Sequence, residues 1–379
     1  MGASYAAVLG RVAVRIGEHL KRALRESREA PELVAELLLL PREQRFERVR
    51  NEPRFRLLLL CDRLEEASRA AWTEDPAAGV ELAELAVEVA DGLDRRIYGP
   101  ALVEDARAMA AACLGNARRV AGDLVRAEEA LDRAERLYGH FELDFLTHAR
   151  ILVFRASLRN AQGRFADADL LLDRALPLYR EAGDSHLEGR TWITKGMTLG
   201  NGGDFQAAVE SLNEGLRLID PATEPRLLLV AHHNRIWFLD DDGKHREAEE
   251  LLESSRHLYL QLGDRMDLVR LRWLEGRIAL HLGRLDDARR ALGLARDGFV
   301  EQEVGFDAAL VALDLAVVHA RQGDAEGVRR IVSEVVPVFQ AVQVQPDLLA
   351  ALLLLRDVNE AEILVERLAA CLRKARRSG

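Results

Sequence analysis

A short pattern built around a glycine recurs at a nearly constant interval, and it constrains the fold more than any other feature of the chain. Successive glycines are separated by 41, 40, 40, 40 and 40 residues. So regular an interval indicates a tandem array of like units, each of which buries its apolar surface against its neighbours. The glycines are Gly122, Gly163, Gly203, Gly243, Gly283 and Gly323.

Residues at fixed offsets from each glycine follow the period of an α-helix. Five residues after it comes an alanine, or a valine in the last copy, and nine residues after it comes a leucine or valine. An aromatic residue or isoleucine follows at sixteen. These spacings place all three positions on one helix face, which we predict to be buried. The alanines are Ala127, Ala168, Ala208, Ala248 and Ala288.

A second helix is predicted on the other side of each glycine. The position seven residues before it is glycine or alanine in five of the six copies, as at Gly196, which allows a partner helix to approach closely. The repeat glycine ends this helix because it accepts a left-handed backbone conformation. Each unit is therefore predicted to be a helix hairpin.

These residues resemble the tetratricopeptide repeat. That motif has a small residue at its eighth position, glycine near the fifteenth, alanine at the twentieth, an apolar residue at the twenty-fourth and a small residue at the twenty-seventh. The period here is 40 rather than about 34 residues, which is similar to the subclass found in kinesin light chains and in sensor arrays of bacterial regulators. The resemblance implies an all-α, right-handed α-solenoid. Gly196, Gly203, Ala208, Leu212 and Gly215 match the motif in that order.

The array is predicted to hold about eight hairpins behind an N-terminal helical extension. We assign residues 1–56 to the extension, 57–100 to a degenerate hairpin and linker, 101–343 to six regular repeats, and 344–379 to a capping hairpin. Terminal units of a solenoid differ from the rest because one face meets water instead of a neighbour.

Residues 3–29 predict a basic amphipathic helix, followed by a short helix between Pro31 and Pro41. The apolar residues of the 3–29 helix recur at every fourth position. Such a helix binds a membrane surface or a partner, or it covers the first repeat, and we favour the covering role because a terminal unit needs one. The apolar stripe is Val8, Val12, Ile16, Leu20 and Leu24.

Composition narrows the class of protein. The chain is 49% apolar, contains 10 prolines and carries a net charge of -10, so we expect a fully folded protein without direct affinity for nucleic acid. Its apolar runs are shorter than the roughly 20 residues that span a bilayer. The scattered Cys61, Cys113 and Cys371 indicate neither a disulfide framework nor a zinc motif, which favours the cytoplasm.

No catalytic motif is present. The phosphate-binding, nucleophile-elbow and metalloprotease patterns are all missing. His232 and His233 are neighbours that point about 100° apart on a helix, and the run Asp240–Gly243 lies where the repeat requires a helix end. The sequence therefore predicts a protein that is not an enzyme, with no cofactor and no metal.

The resemblance also implies which side chains face the concave groove of the array. Those positions are rich in arginine, which pairs with carboxylates, and in asparagine, which pairs with a peptide backbone. The alternative is that the arginines bridge to acidic residues of the next repeat, and that the tryptophans belong to the core. The candidate groove residues are Asn116, Arg119, Arg150, Asn160, Arg190, Asn201, Asn234, Trp237, Arg270 and Arg277.

The function implied is that of an adaptor or scaffold that binds a peptide segment of a protein partner. The basic groove positions favour an acidic peptide or one with a free C-terminus. The alternative is a signalling or transcription-regulating sensor, whose N-terminal helices act on a regulator when the array binds a peptide, an architecture similar to that of bacterial pheromone receptors. Richness in arginine, alanine and leucine is typical of a high-GC bacterial genome.

Overall fold

The computed structural model describes residues 2–72, 74–139, 144–341, 371 and 373, and within them it contains helices and no β-strand. One 3-10 turn among these residues spans Pro53–Phe55. The helices are α1 Gly2–Leu38, α2 Arg42–Asn51, α3 Leu58–Ala71, α4 Pro76–Asp91, α5 Arg95–Tyr98, α6 Pro100–Val120, α7 Leu124–Tyr138, α8 Phe145–Ala161, α9 Phe165–Ala182, α10 Ser185–Gly202, α11 Phe205–Leu218, α12 Pro225–Asp241, α13 His245–Leu262, α14 Arg265–His281, α15 Leu285–Glu301, α16 Gly305–Arg321 and α17 Ala325–Ala341.

The chain divides into two compact units, Met1–Leu158 and Arg159–Gly379. In the first, the hairpins α3/α4 and α6/α7 pack on each other through α4 and α6. In the second, the hairpins α10/α11, α12/α13, α14/α15 and α16/α17 stack in sequence order, each second helix contacting the next first helix. The predicted all-α solenoid architecture is thereby confirmed, while the predicted capping hairpin lies outside the described residues apart from Cys371 and Arg373.

Each repeat glycine ends one helix as expected, because all six have φ between 71° and 94°. At Gly203 the backbone N–H donates to the carbonyl of Gly200, and that of Asp204 donates to the carbonyl of Leu199. The Asp204 carboxylate then accepts a hydrogen bond from the N–H of Ala207, the third residue of α11. This Gly-Asp pair therefore closes one helix and begins the next.

Close contact within each hairpin explains the small residues of the motif. The five repeat alanines are completely buried, as is Leu212. A Cβ atom at Gly196 would lie 2.7 Å from Cγ of Leu212 and 2.9 Å from the carbonyl oxygen of Ala208. The helices therefore approach so closely that only glycine fits at this position, which confirms the buried face expected from the repeat.

The N-terminal helix differs from its prediction. Helix α1 continues through Pro31 to Leu38 instead of ending near residue 29. An interior proline costs about 3 kcal/mol, but Ala30 and Leu37 are fully buried in the core of the first unit. Their packing offsets the backbone hydrogen bond that Pro31 cannot make.

The second half of α1 is anchored to the first unit. The Glu26 carboxylate accepts hydrogen bonds from the Tyr98 hydroxyl at 2.6 Å and from the N–H of Leu59 at 3.3 Å. Leu20 and Leu24, by contrast, are about 60% exposed. The side chains of Val8, Val12 and Ile16 lie outside the described part. Among the described residues, no helix has both the length and the apolarity needed to cross a membrane.

Candidate ligand-binding cavity

A cavity of about 380 Å³ opens in the second unit, on the face formed by the first helices of three consecutive hairpins. Helix α12 contributes Leu229, Val230, His233, Asn234 and Trp237, whose spacing of one, three and four residues places them on one side of the helix. The other lining residues are Met197 and Asn201 of α10, Tyr259 of α13, Asp267, Arg270 and Trp273 of α14, and Arg373.

Two tryptophans form the apolar floor of the cavity. The rings of Trp237 and Trp273 meet edge to face, with their centroids 4.9 Å apart and an interplanar angle of 84°. Their exposed fractions are 9% and 2%. They are therefore core residues that also offer an aromatic surface to a ligand, and Met197 and Leu229 extend that surface.

One side of the cavity is closed by a pair of aromatic groups. Nδ1 of His233 lies 3.0 Å from the hydroxyl of Tyr259. Burial, reinforced by the charge of Asp267, raises the pKa of Tyr259, so that this side chain stays a neutral phenol. The tyrosine therefore presents a hydrogen-bonding group without a charge.

Two asparagines on neighbouring helices face the cavity with unused hydrogen-bonding capacity. The side chain of Asn201 makes no hydrogen bond with any residue that the structure describes. Nδ2 of Asn234 donates to the carbonyl of Val230 at 2.8 Å, one turn earlier on α12, while its Oδ1 accepts nothing from the described residues. Both amides can therefore pair with a peptide backbone.

Arg270 is the accessible cation of the cavity wall. Its Nη1 lies 3.5 Å from Oδ1 of Asp267, and its side chain is 41% exposed. It makes no hydrogen bond within the described ranges, so its five N–H donors remain available. The Asp267 carboxylate, in contrast, is engaged by Arg226 and by the backbone N–H of Asp264 at 3.0 Å.

Arg373 closes the cavity from a position near the C-terminus. Its Nη1 donates to Oδ1 of Asp314 at 2.6 Å, and its side chain is 12% exposed. Arg373 lies beyond the six regular repeats predicted from the sequence, so the repeat pattern does not predict that it lines the cavity. The sequence pattern also does not identify Tyr259 and His233 as cavity residues. Tyr259 lies sixteen residues after Gly243, on the helix face predicted to be buried.

Four of the ten predicted groove residues line this cavity, namely Asn201, Asn234, Trp237 and Arg270. Arg277 does not, since it is 2% exposed and lies behind the wall, 4.2 Å from the ring centroid of Trp237. Its Nη2 donates to Oδ1 of Asp241 at 2.7 Å. Burial lowers the pKa of Arg277, but the charges of Asp241 and Asp240 outweigh burial and raise it, so Arg277 is a charged interior residue.

Two further candidates of the second unit lie away from the cavity. Arg190 is exposed and donates a hydrogen bond to Glu224, which directly precedes α12. It bridges neighbouring hairpins, which is the alternative considered from the sequence. Asn160 lies near the end of α8, and its buried Oδ1 has no hydrogen-bond partner among the described residues.

The remaining candidates belong to the first unit. Asn116 is 3% exposed and accepts a hydrogen bond at 2.9 Å from Nε of Arg119, whose pKa burial lowers. Arg150 is exposed, and its charge acts on the carboxyls of Asp62 and Glu65. Arg150 therefore interacts electrostatically with acidic groups of its own unit.

Comparisons with known proteins identify the fold. No protein-family model matches the chain, and no curated protein matches its sequence. Solved structures do match. A Rap protein complexed with Competence and Sporulation Factor superposes with a TM-score of 0.61 at 12% identity, covering 84% of this chain and 92% of that one.

Two other solved structures superpose on this chain with similar TM-scores. Aspartyl phosphate phosphatase F from Bacillus subtilis gives a TM-score of 0.57 at 14% identity, over 83% of this chain and 80% of the other. NprR in complex with its cognate peptide NprX gives a TM-score of 0.56 at 14% identity, over 81% of this chain and 88% of the other. At these identities the likeness shows the fold alone. Together with the observed repeat register, it establishes that this chain has the tetratricopeptide-repeat fold.

Proposed function

We propose that the chain is a non-catalytic interaction module that binds a peptide segment of a protein partner in the cavity of the second unit. One observation carries the proposal. Asn201, Asn234 and Arg270 stand on three consecutive first helices around a floor of two tryptophans. Small ligand sites in proteins combine such an apolar surface with a few convergent polar groups.

Each part of the cavity suits one part of a peptide. The amides of Asn201 and Asn234 offer both donors and acceptors to a peptide backbone. Arg270 offers paired N–H donors to a carboxylate, either of an acidic side chain or of a C-terminus. A volume of about 380 Å³ accommodates a short part of an extended peptide, with an apolar side chain against Trp237.

We assign no catalytic role because the sequence contains no catalytic motif, and the titratable groups of the cavity are paired with one another or with the protein around them. Arg226 and the start of α14 hold Asp267, and Tyr259 contacts His233. A general base has to reach the proton that it removes. The phosphatase name of one structure with this fold belongs to that protein, and we carry no activity over from it.

A signalling role is the second candidate. Two proteins of the same fold are described with a Competence and Sporulation Factor and with a cognate peptide, respectively. In this chain, the 37-residue α1 leaves Leu20 and Leu24 exposed next to its anchored half. A regulator docking there would make the chain a peptide-controlled sensor. Free, buried Cys61 and Cys113 suit a cytoplasmic location for either role.

The test is a screen of short synthetic peptides with free C-termini, read by fluorescence polarisation. Binding to the wild-type chain is expected to weaken as salt is added, because charge-assisted hydrogen bonds carry part of the affinity. Arg270→Glu should weaken it at least tenfold, and Asn234→Ala should weaken it less. Amidating the peptide C-terminus distinguishes a terminal carboxylate from an acidic side chain.

Arg289→Glu is the matched control for the charge change. Arg289 lies on α15 outside the cavity, is 56% exposed and contacts Asp286. Its reversal should leave affinity unchanged. If Arg270→Glu and Arg289→Glu bound selected peptides equally well, the cavity would not be the peptide site.

A further inference from the structure

Three side chains of the types that bind metals converge in the second unit, at the turn between α12 and α13. Oδ1 of Asp240 lies 2.9 Å from Nδ1 of His245 and 2.8 Å from Nδ1 of His281. All three atoms lie within 4.8 Å of one another. Asp240 lies in the last turn of α12, His245 begins α13, and His281 ends α14, so the cluster joins one hairpin to the next.

The hairpin fold itself does not require these residues. Gly200 and Leu280 occupy the position of Asp240 in the neighbouring hairpins, and Phe205 and Leu285 occupy that of His245. Asp240 is 1% exposed, and burying a carboxylate is costly unless its charge is compensated. Asp240 and His245 are polar where both neighbouring hairpins are not, which calls for a role of their own.

Arg277 orients the carboxylate. Its Nη2 lies 3.2 Å from Oδ2 of Asp240, but no hydrogen bond reaches this buried oxygen within the described residues. The contact keeps Oδ2 away from the imidazoles and directs Oδ1 towards them. Groups that hold a ligand in this way are typical of the surroundings of metal sites.

We propose that Asp240, His245 and His281 bind a divalent transition-metal ion of the zinc class. Zinc accepts imidazole nitrogen and carboxylate oxygen at about 2.0–2.2 Å and keeps a fourth position for water when the protein supplies three ligands. Tetrahedral ligands at that distance are about 3.3 Å apart. Oδ1 of Asp240 therefore needs to move only a few tenths of an ångström away from each imidazole nitrogen to admit the ion.

Proton balance is simple. Without an ion, an imidazole that donates to Oδ1 of Asp240 carries the donated proton on Nδ1. With the ion, Nδ1 of each ring binds the metal and the proton sits on Nε2 instead, so neutral imidazoles release no net proton. The histidine side chains are 28% and 26% exposed, which gives the ion access from solvent.

Local charge also suits a cation. Asp240 and Asp241 carry two negative charges against the single positive charge of Arg277, which Asp241 contacts at 2.7 Å. Lys244 is the next cation along the turn, and Asp242 pairs with it at 2.8 Å. These three carboxylates and two cations sum to one negative charge, which favours a dication beside Asp240.

The test is a zinc titration of tag-free protein against a chromophoric chelator. All variants carry Cys371→Ser, because the exposed thiol is a competing ligand. One equivalent of zinc is expected to bind, and His245→Gln and His281→Gln should each weaken binding at least tenfold. Cobalt added in place of zinc should give a visible absorption band that both variants lose.

His319→Gln is the matched control, since Nδ1 of His319 lies 2.8 Å from Oδ2 of Asp324 and forms a two-group pair. It should bind zinc and cobalt like the parent. Circular dichroism confirms that each variant is folded. Equal zinc affinity in the parent, His245→Gln and His281→Gln, or no binding by the folded parent, would overturn the proposal.

Discussion

The indole Nε1 of Trp273 donates a 2.7 Å hydrogen bond to Oδ2 of Asp314. The other oxygen of the same carboxylate accepts a hydrogen bond from Arg373 at 2.6 Å. Trp273 and Asp314 are 2% and 3% exposed. The floor of the cavity and the arginine that closes it therefore share one buried carboxylate on α16.

Trp273→Phe is expected to destabilise the second unit beyond the loss of ring size. It removes the indole N–H and leaves Oδ2 of Asp314 buried without this donor, at a cost of about 1–3 kcal/mol. Trp192→Phe is the control, because Trp192 is half-buried and makes no side-chain hydrogen bond within the described ranges. Urea denaturation should show the larger loss for Trp273→Phe, and equal losses would contradict a structural role for this bond.

Ala208→Leu should overpack the hairpin α10/α11. Ala208 is completely buried, and its carbonyl oxygen already leaves no room for a Cβ atom at Gly196. Extra methylene groups in a well-packed core cost roughly 1–3 kcal/mol. Thermal melting compares it with Gln206→Leu, an exposed position of α11 that should melt like the parent. A parent-like Ala208→Leu would show that the repeat register is wrong.

Arg190→Glu tests the bridge between repeats. The reversal places a second carboxylate beside Glu224, but the pair is exposed, so we expect a stability change below about 1 kcal/mol. Peptide affinity should stay within a few-fold of the parent, unlike that of Arg270→Glu. A sharp loss of affinity with an unchanged melting temperature would instead restore Arg190 to the ligand site.

The stability advantage of Glu65→Gln over the parent should grow as pH rises. Burial, with help from the charge of Asp62, raises the pKa of Glu65 to about 8, against 4.5 for an ordinary glutamate, although Arg69 and Arg150 oppose this. Between these values the unfolded chain loses a proton that the folded chain keeps, so the parent loses stability as pH increases.

Glutamine cannot ionise, so the two proteins should be closest in stability at pH 4 and diverge up to pH 8. Glu66→Gln is the control, because its side chain is 52% exposed. Denaturation across this pH range measures the difference. A gap between parent and Glu65→Gln that stayed constant with pH would show that Glu65 is ionised in the folded protein.

Deleting residues 2–30 should lower the melting temperature. The deletion removes Glu26, which accepts hydrogen bonds from Tyr98 and from the start of α3, and it removes the buried Ala30. Co-sedimentation of the full chain with anionic vesicles should be negligible. Lipid binding that disappears with the deletion, together with an unchanged melting temperature, would show that the helix serves a membrane instead.

The sequence alone determined the hairpin repeat. Its signals are local: a glycine that must adopt positive φ, and an alanine and a leucine on one helix face, spaced by the helical period. Each copy repeats the same physical requirement. Gly203 therefore predicts the helix end that the structure shows, and Ala208 and Leu212 predict the close contact with Gly196. Pro31 led to the wrong prediction that the helix ends. The packing of Ala30 and Leu37, which offsets the cost of the proline, depends on residues distant in sequence, so the local sequence does not show it.

Only the tertiary structure decided which polar side chains are available. The resemblance predicted that Arg190, Arg270 and Arg277 all face the groove. Glu224 engages Arg190, Asp241 and Trp237 enclose Arg277, and of these three only Arg270 reaches the cavity. The sequence likewise indicated an ordinary polar turn at Asp240. Packing of one hairpin on the next brings His281 to it from 41 residues away, and no spacing within a single helix encodes that contact.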